Sequence, residues 1–476
     1  MPIDSTTQAG TKISTVRLIF EFPYPSQTAI LSDMQPLPGL RPSFTPDYQH
    51  RSQEVLDFAL EWIPGYRDWK RFDPGSHHPV DERYAALPVT SKAHIRSHFP
   101  DGLRPLGRTL QAGLDSQEIE LVHTSGTTEE RVSLPWNQTW WNDSETAAWA
   151  LHSDTARLPL GRHPEAILAN PISVGIRNDD RSLSFADRSA DRFLFLNEKS
   201  NPLAWDAAHY ERMIRELQTF QPVVLEANPS LLADFAHYLL DQKRSCYCPP
   251  VIILTYEYPS RLFLRAIRKA FACPIINSYG STEAGYVFME CEAGRYHQNT
   301  AFCRIDFQTW SPTLGNPRIG RILVTPFKNP WLPLIRFDIS DLARIAAPQT
   351  CPCGRTDGWI LEALEGRVRD VTLTLDNRPV TVNRLDEVLS QVPGLRGYQV
   401  EQLTLNSFRV HAAVAPPTPA GLDSVIRQCL ESLYGAPLHV EIHLVPRVPP
   451  EISAKNRLAK NHLPLDPETL LETSHA

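Results

Sequence analysis

Between residues 165 and 327 the chain switches repeatedly between two hydrophobic periods, and that alternation narrows the folds open to it more than any other feature. Short apolar runs bounded by turn residues read as buried strands: EAILAN (165–170), PVVLEA (222–227), PVIILTYE (250–257), CPIINSYG (273–280) and GRILVTPF (320–327). Residues 207–219 and 229–242 carry apolar side chains at helical spacing, as do 52–62 through Val55, Leu56, Phe58, Ala59 and Trp62. Strands that alternate with helices imply an α/β architecture, with parallel sheets covered by helices and ligand sites at the carboxyl ends of the strands. After about residue 367 the texture changes to DVTLTLDN, YQVEQLTLN, FRVHAAV and LHVEIHLV, with LDEVLSQV and LDSVIRQCLESLY as helices between them. At 476 residues the chain needs more than one core. The expected division is a large α/β domain over 1–366, with parallel or mixed sheets, and a small mobile α+β domain over 367–476.

A net charge of −7 argues against a nucleic acid held through bulk electrostatics and favours small-molecule chemistry. No stretch approaches the ~20 apolar residues of a membrane helix. The polar start MPIDSTTQAGTKIS lacks the basic, then apolar, pattern of a secretory signal, so a cytoplasmic protein with no membrane partner is expected. Eight cysteines are too sparse for a disulfide scaffold.

Three strings carry chemistry. In VHTSGTTEERVSL (122–134), Thr124, Ser125, Gly126, Thr127 and Thr128 supply hydroxyls, N–H groups and a permissive glycine, which suits a polyphosphate as well as a plain turn. NSYGSTEAG (277–285) directly follows a strand; Tyr279 offers a flat face to a purine and Glu283 a hard carboxylate to Mg²⁺. In PLIRFDISDL (333–342), Asp341 has the two acceptors that ribose hydroxyls require. Either of the last two alone is equally an ordinary loop with a satisfied acid.

In their order and spacing these strings resemble the adenylate-forming superfamily, within it the phenylacetate–CoA ligase and coenzyme F390 synthetase branch. WIPGYRDW (62–69) and LPVTSKAHIRSHFP (87–100) resemble the branch's N-terminal segments. TSGTT is similar to its phosphate loop, TYEYPS (255–260) to the turn that carries Glu257, SYGSTE to the adenine and magnesium motif, and RFDISDL to the ribose motif. CPCGR (351–355) with LEGRVRD (364–370) resembles the cysteine pair and hinge, and ISAKNR (452–457) the C-terminal lysine segment.

The resemblance implies an ATP-dependent ligase that forms an acyl-adenylate, with AMP and pyrophosphate as products, and passes the acyl group, aryl by analogy, to CoA. It assigns catalysis to Lys455, Glu283 and Arg367. Nucleotide binding falls to Thr124, Ser125, Gly126, Thr127, Thr128, Glu257, Ser278, Tyr279, Gly280, Ser281, Thr282, Asp341 and Arg367, and the hinge to Arg369. His123, Trp140, Trp141, Tyr256 and Tyr279 are candidates for the acid pocket. The chain departs from the pattern at Glu129, Glu130 and Arg131 after the phosphate loop, at Asn377 where CoA-using members carry glycine, and at Ala454. Carrier-protein phosphopantetheine or an amine is therefore a second expected acceptor class, and a nucleotide binder without turnover a third reading. A homodimer is compatible with the branch. Cys291, His297, Cys351 and Cys353 supply two close pairs of ligands for a structural Zn²⁺, with buried unligated thiols as the alternative.

Overall fold

The computed structural model describes residues 42–123, 132–176, 182–310, 316–451, 455–464 and 466–471. The apolar runs at 165, 222, 250 and 273 become the neighbouring parallel strands Glu165–Leu168, Val224–Ala227, Val251–Leu254 and Ile275–Ser281. Every residue of the first three is buried, as near-continuous apolar runs require when helices cover both faces. Helices Ala207–Phe220 and Pro229–Asp241 supply crossovers. Each starts where a side chain accepts an unpaired N–H of the first turn: Asp206 from His209, and Asn228 from Ser230 and Leu231.

At Ile275–Ser281 the sheet passes from parallel to antiparallel pairing. Residues 275–277 pair in parallel with Val251–Leu254, whereas 278–281 pair antiparallel with Gly285–Glu290. Tyr296–Gln298, Ile360–Arg367, Phe337–Ile345, Ile319–Pro326 and Cys303–Thr309 extend the antiparallel half, and Phe193–Phe195 and Ser189–Ala190 close the other edge of a twelve-stranded sheet. GRILVTPF, expected among parallel strands, thus lies antiparallel to both neighbours. The reason is connectivity: no described α-helix intervenes between Ile275 and Arg367, and a parallel pair needs a long crossover.

Arg367 ends the last strand of this sheet, and one turn, Val368–Asp370, leads into the C-terminal elements. These form a four-stranded sheet in the order His439–Val445, Ser407–Val414, Leu395–Thr404, Ala459–Asn461, with helices Val382–Leu389 and Leu422–Tyr434. Its apolar face continues into the large sheet's layer: Leu385, Leu389 and Tyr398 share one buried cluster with Leu262, Phe263 and Ala266 of helix Arg261–Ala270. No described helix is long and apolar enough to cross a membrane.

Candidate active site

A cavity of about 170 Å³ opens at the carboxyl ends of Val251–Leu254 and Ile275–Ser281, where the sheet passes from parallel to antiparallel. Loops diverge at such a point and leave a crevice. Tyr256, Glu257, Ser278, Tyr279, Gly280, Asp341, Arg367, Arg369 and Lys455 all line it, although they come from five separate stretches of sequence.

Pairing register explains much of this convergence. Asp341 and Arg367 stand directly opposite one another on neighbouring antiparallel strands, and the guanidinium Nε lies 3.6 Å from the carboxylate. The Tyr279 hydroxyl donates to the other Asp341 oxygen at 2.9 Å. Gly280 is the residue the tight hairpin demands: a Cβ there would sit 2.3 Å from the carbonyl oxygen of Gly285. Ser281 and Thr282 follow outside the cavity lining, and Glu283 is buried beyond them at 4% exposure. The Glu283 Oε1 atom accepts no hydrogen bond, and the Lys92 ammonium stands 3.5 Å from it. Lys92 is delivered by the 87–100 segment, which docks through Thr90: its N–H donates to the Arg336 carbonyl and its carbonyl accepts from Asp338.

Lys455 reaches the cavity from the C-terminal elements. The next residue, Asn456, donates its N–H at 2.7 Å to Glu257, whose second oxygen accepts the Ser230 N–H at 3.0 Å at the start of helix Pro229–Asp241. Burial raises the Glu257 carboxyl above its ordinary value, against the pull of these donors. One residue further, Arg457 donates to Asp370 at 2.7 Å. Burial, and then the Arg367 charge, lower the Lys455 ammonium to about 8, against the attraction of Asp341, Glu257 and Glu283. A cation is thus held, partly desolvated, among groups suited to a nucleotide.

Thr124, Ser125, Gly126, Thr127 and Thr128, with Glu129, Glu130, Arg131 and Ala454, lie outside the described residues, as does the side chain of His123. The strands on either side of residues 124–131, Glu120–His123 and Ser133–Trp136, pair antiparallel. Trp140 is buried and donates to the Phe327 carbonyl at 3.2 Å; Trp141 packs 5.0 Å from the Tyr286 ring. Neither lines the cavity. Asn377 adopts φ +60°, the left-handed region that glycine favours. Sequence reasoning passed over Asp370, Asn456 and Arg457; the signal was that the hinge string ends in an acid and the lysine string in an arginine.

Apart from this cavity, Cys291, His297, Cys351 and Cys353 converge, with one ligand atom from each lying within 4.8 Å of the others. The Cys291 and Cys351 sulfurs are 3.6 Å apart, and Cys353 Sγ is 3.4 Å from His297 Nε2. A tetrahedral Zn²⁺ with Zn–S bonds near 2.3 Å would set S···S edges of roughly 3.8 Å, so the four fit that ion.

No family model matches the chain. Its fold is similar to that of 2-hydroxyisobutyryl-CoA ligase in the postadenylation state in complex with 2-HIB-AMP, at a TM-score of 0.64 and 16% identity, covering 84% of this chain and 85% of that one. The chain shares that acyl-CoA ligase's fold. Against the same ligase in its thioesterification state, with 2-HIB-AMP and CoA, the TM-score is 0.52 at 17% identity, over 87% and 89% of the two chains. In sequence, 263 residues are 24% identical to protein CapK of Staphylococcus aureus, covering 54% of this chain. The chain spans 57% of the length of that curated relative.

Proposed function

We propose that this protein is an ATP-dependent carboxylic acid ligase of the phenylacetate–CoA ligase type, which activates an aryl acid as its acyl-adenylate and transfers the acyl group to CoA. The observation that carries the reading is the convergence of Lys455, Arg367, Asp341, Tyr279 and Glu257 on one cavity. Fold likeness to an acyl-CoA ligase supports it.

A carboxylate is a poor electrophile. It becomes one when its oxygen bonds to the α-phosphorus of ATP and the bond to the bridging oxygen breaks, expelling pyrophosphate. Negative charge is redistributed over the α-phosphoryl oxygens in that transition state, and the Lys455 ammonium is placed to stabilise it. Asp341 accepts from the ribose hydroxyls, and Arg367 lies beside it for ribose or phosphate. Glu283, whose Oε1 is buried without a hydrogen bond, fits Mg²⁺; Thr128 is its proposed partner ligand. Bound Mg²⁺ supplies charge neutralisation on the phosphates. The left-handed Asn377 gives the backbone shape a glycine would provide for the CoA thiol arm. A Zn²⁺ in the cysteine–histidine quartet is structural in this reading, and Arg369 is the hinge of a mobile small domain.

The test is acid-dependent pyrophosphate release with ATP and Mg²⁺ across aryl, heteroaryl and fatty acids, with no acceptor present. Lys455→Ala is expected to lower the rate at least about a hundredfold, the cost of losing one well-placed charge in the transition state. Addition of CoA then yields a thioester. Silence for every acid by protein that still binds ATP would leave a non-catalytic nucleotide binder.

A further inference from the structure

Resting on the ligase reading, we propose that Glu226 and Tyr256 form a positioning pair that aims the Glu257 carboxylate at the lysine segment and so keeps Lys455 docked in the cavity.

Tyr256 has φ +77°, a region that a bulky aromatic residue seldom occupies without something to hold it there. The hold is visible at the far end of the side chain. Its hydroxyl donates to Glu226, a buried carboxylate on the otherwise apolar strand Val224–Ala227. Fixing the ring fixes the backbone at 256, and the next residue is Glu257. That carboxylate joins the Ser230 N–H to the Asn456 N–H, at 3.0 and 2.7 Å, and Asn456 adjoins Lys455. A continuous path of contacts therefore runs from the middle of the large sheet to the reacting lysine. Glu226 lies outside the cavity lining, and Tyr256, which lines the cavity, is tied to it through its hydroxyl.

The surroundings of Glu226 show that the acid is kept at a cost. Glu145 from helix Gln138–Trp149 and Glu165 from the neighbouring strand each bring a carboxylate oxygen within 4.8 Å of it. The Tyr286 hydroxyl stands 3.3 Å away, while Arg192 and His163 meet Glu165 at 2.7 and 3.1 Å. Burial and then the Glu165 charge push the Glu226 carboxyl up to about 7. An apolar residue would pack the strand without this penalty. What the carboxylate adds is an acceptor for Tyr256.

The test reads the docking of Lys455 directly, through the pH at which its amine becomes reactive. Competitive acylation with an amine-selective reagent, followed by mass spectrometry of the Lys455 peptide, is expected to give a wild-type midpoint near 8. Tyr256→Phe and Glu226→Leu, which remove the donor and the acceptor, are expected to move the midpoint at least about one unit towards the ordinary lysine value near 10.4. Glu226→Gln keeps an acceptor oxygen and is expected to titrate as wild type. So is Tyr286→Phe, which loses a contact with the same carboxylate but has no tie to Glu257. In turnover, Tyr256→Phe is expected to lower kcat for adenylation about tenfold, and Glu226→Leu, at a residue outside the cavity lining, to lower it as much. A Tyr256→Phe protein that titrates as wild type, or a Tyr286→Phe protein displaced as far as Tyr256→Phe, would overturn the proposal. Because labelling needs no turnover, it remains decisive even if no acid is ever adenylated.

Discussion

Lys455 keeps its charge only below the pH that its surroundings impose, and that pH is lowered by burial and by one neighbour acting in the same direction. Burial disfavours the ammonium and the Arg367 guanidinium repels it, which brings the group to about 8. An ammonium that must face negative charge in the transition state is useful only while protonated. The rate of pyrophosphate release is therefore expected to fall about tenfold per unit as pH rises above about 8, as a single lost proton dictates. Arg367→Gln removes a repelling charge, so the alkaline limb should move to higher pH even though the absolute rate drops. The check is kcat/KM against pH for both proteins, and a wild-type profile flat to pH 10 would remove Lys455 from the chemistry. Asp341 and Tyr279 were marked in sequence by short strings whose residue types suit a nucleotide, and Lys455 by the resemblance of ISAKNR to a family segment; all three line the cavity. Asp370 and Arg457 were not, since their meaning lies in an ion pair across 87 residues.

At the scale of elements, the strands were readable and their partners were not. The runs at 165, 222, 250 and 273 have the continuous apolar character of strands buried on both faces, and they became such strands. The acids inside them carry no signal in that pattern. Only the register that sets Ile167 opposite Glu226 puts Glu226 on the same face as Glu165, because side chains two apart share a face. The convergence of the cysteine–histidine quartet was legible for the opposite reason, since spacing keeps its members in pairs. Cys291 follows the strand Gly285–Glu290, His297 lies within Tyr296–Gln298, and Cys351 and Cys353 precede Ile360–Arg367. These three strands are neighbours in the sheet, so a Zn²⁺ there would tie its antiparallel half together. Elemental analysis of protein purified without chelator is expected to find about one zinc per chain, the stoichiometry of a four-ligand site. Cys353→Ser should lose the metal and melt several degrees lower, with the nucleotide cavity's ligands untouched. Full stability in a zinc-free protein would return the quartet to ordinary buried thiols.

For the whole molecule, the question is how the C-terminal elements hold their place. Their strands and helices could be read from pattern, but the seam against the large sheet joins residues too distant in sequence for any pattern to show. At its centre, Asp386 is fully buried and accepts from the Ser260 hydroxyl at 2.6 Å, the Arg261 N–H at 2.8 Å and the Tyr398 hydroxyl at 3.0 Å. It thus caps the first turn of helix Arg261–Ala270 from outside that helix, where a negative charge also suits the helix dipole. Asp386→Ala would strand three donors in the seam, while the Arg261 guanidinium keeps Asn383 and Glu387, a loss of about 3 kcal/mol at roughly 1 kcal/mol or more for each stranded donor. If the segment from 367 onward is a separable domain, that loss falls on docking. Hydrogen exchange should then quicken together in Arg261–Ala270 and Val382–Leu389, adenylation should fall, and exchange in Val224–Ala227 and Val251–Leu254 should not change. If the shared core of Leu385, Leu389, Leu262 and Phe263 instead makes one cooperative unit, the same substitution will lower the melting temperature with no local change in exchange. The small elements could not then swing as a body during turnover, and the lysine segment alone would have to withdraw before an acceptor could reach the acyl-adenylate.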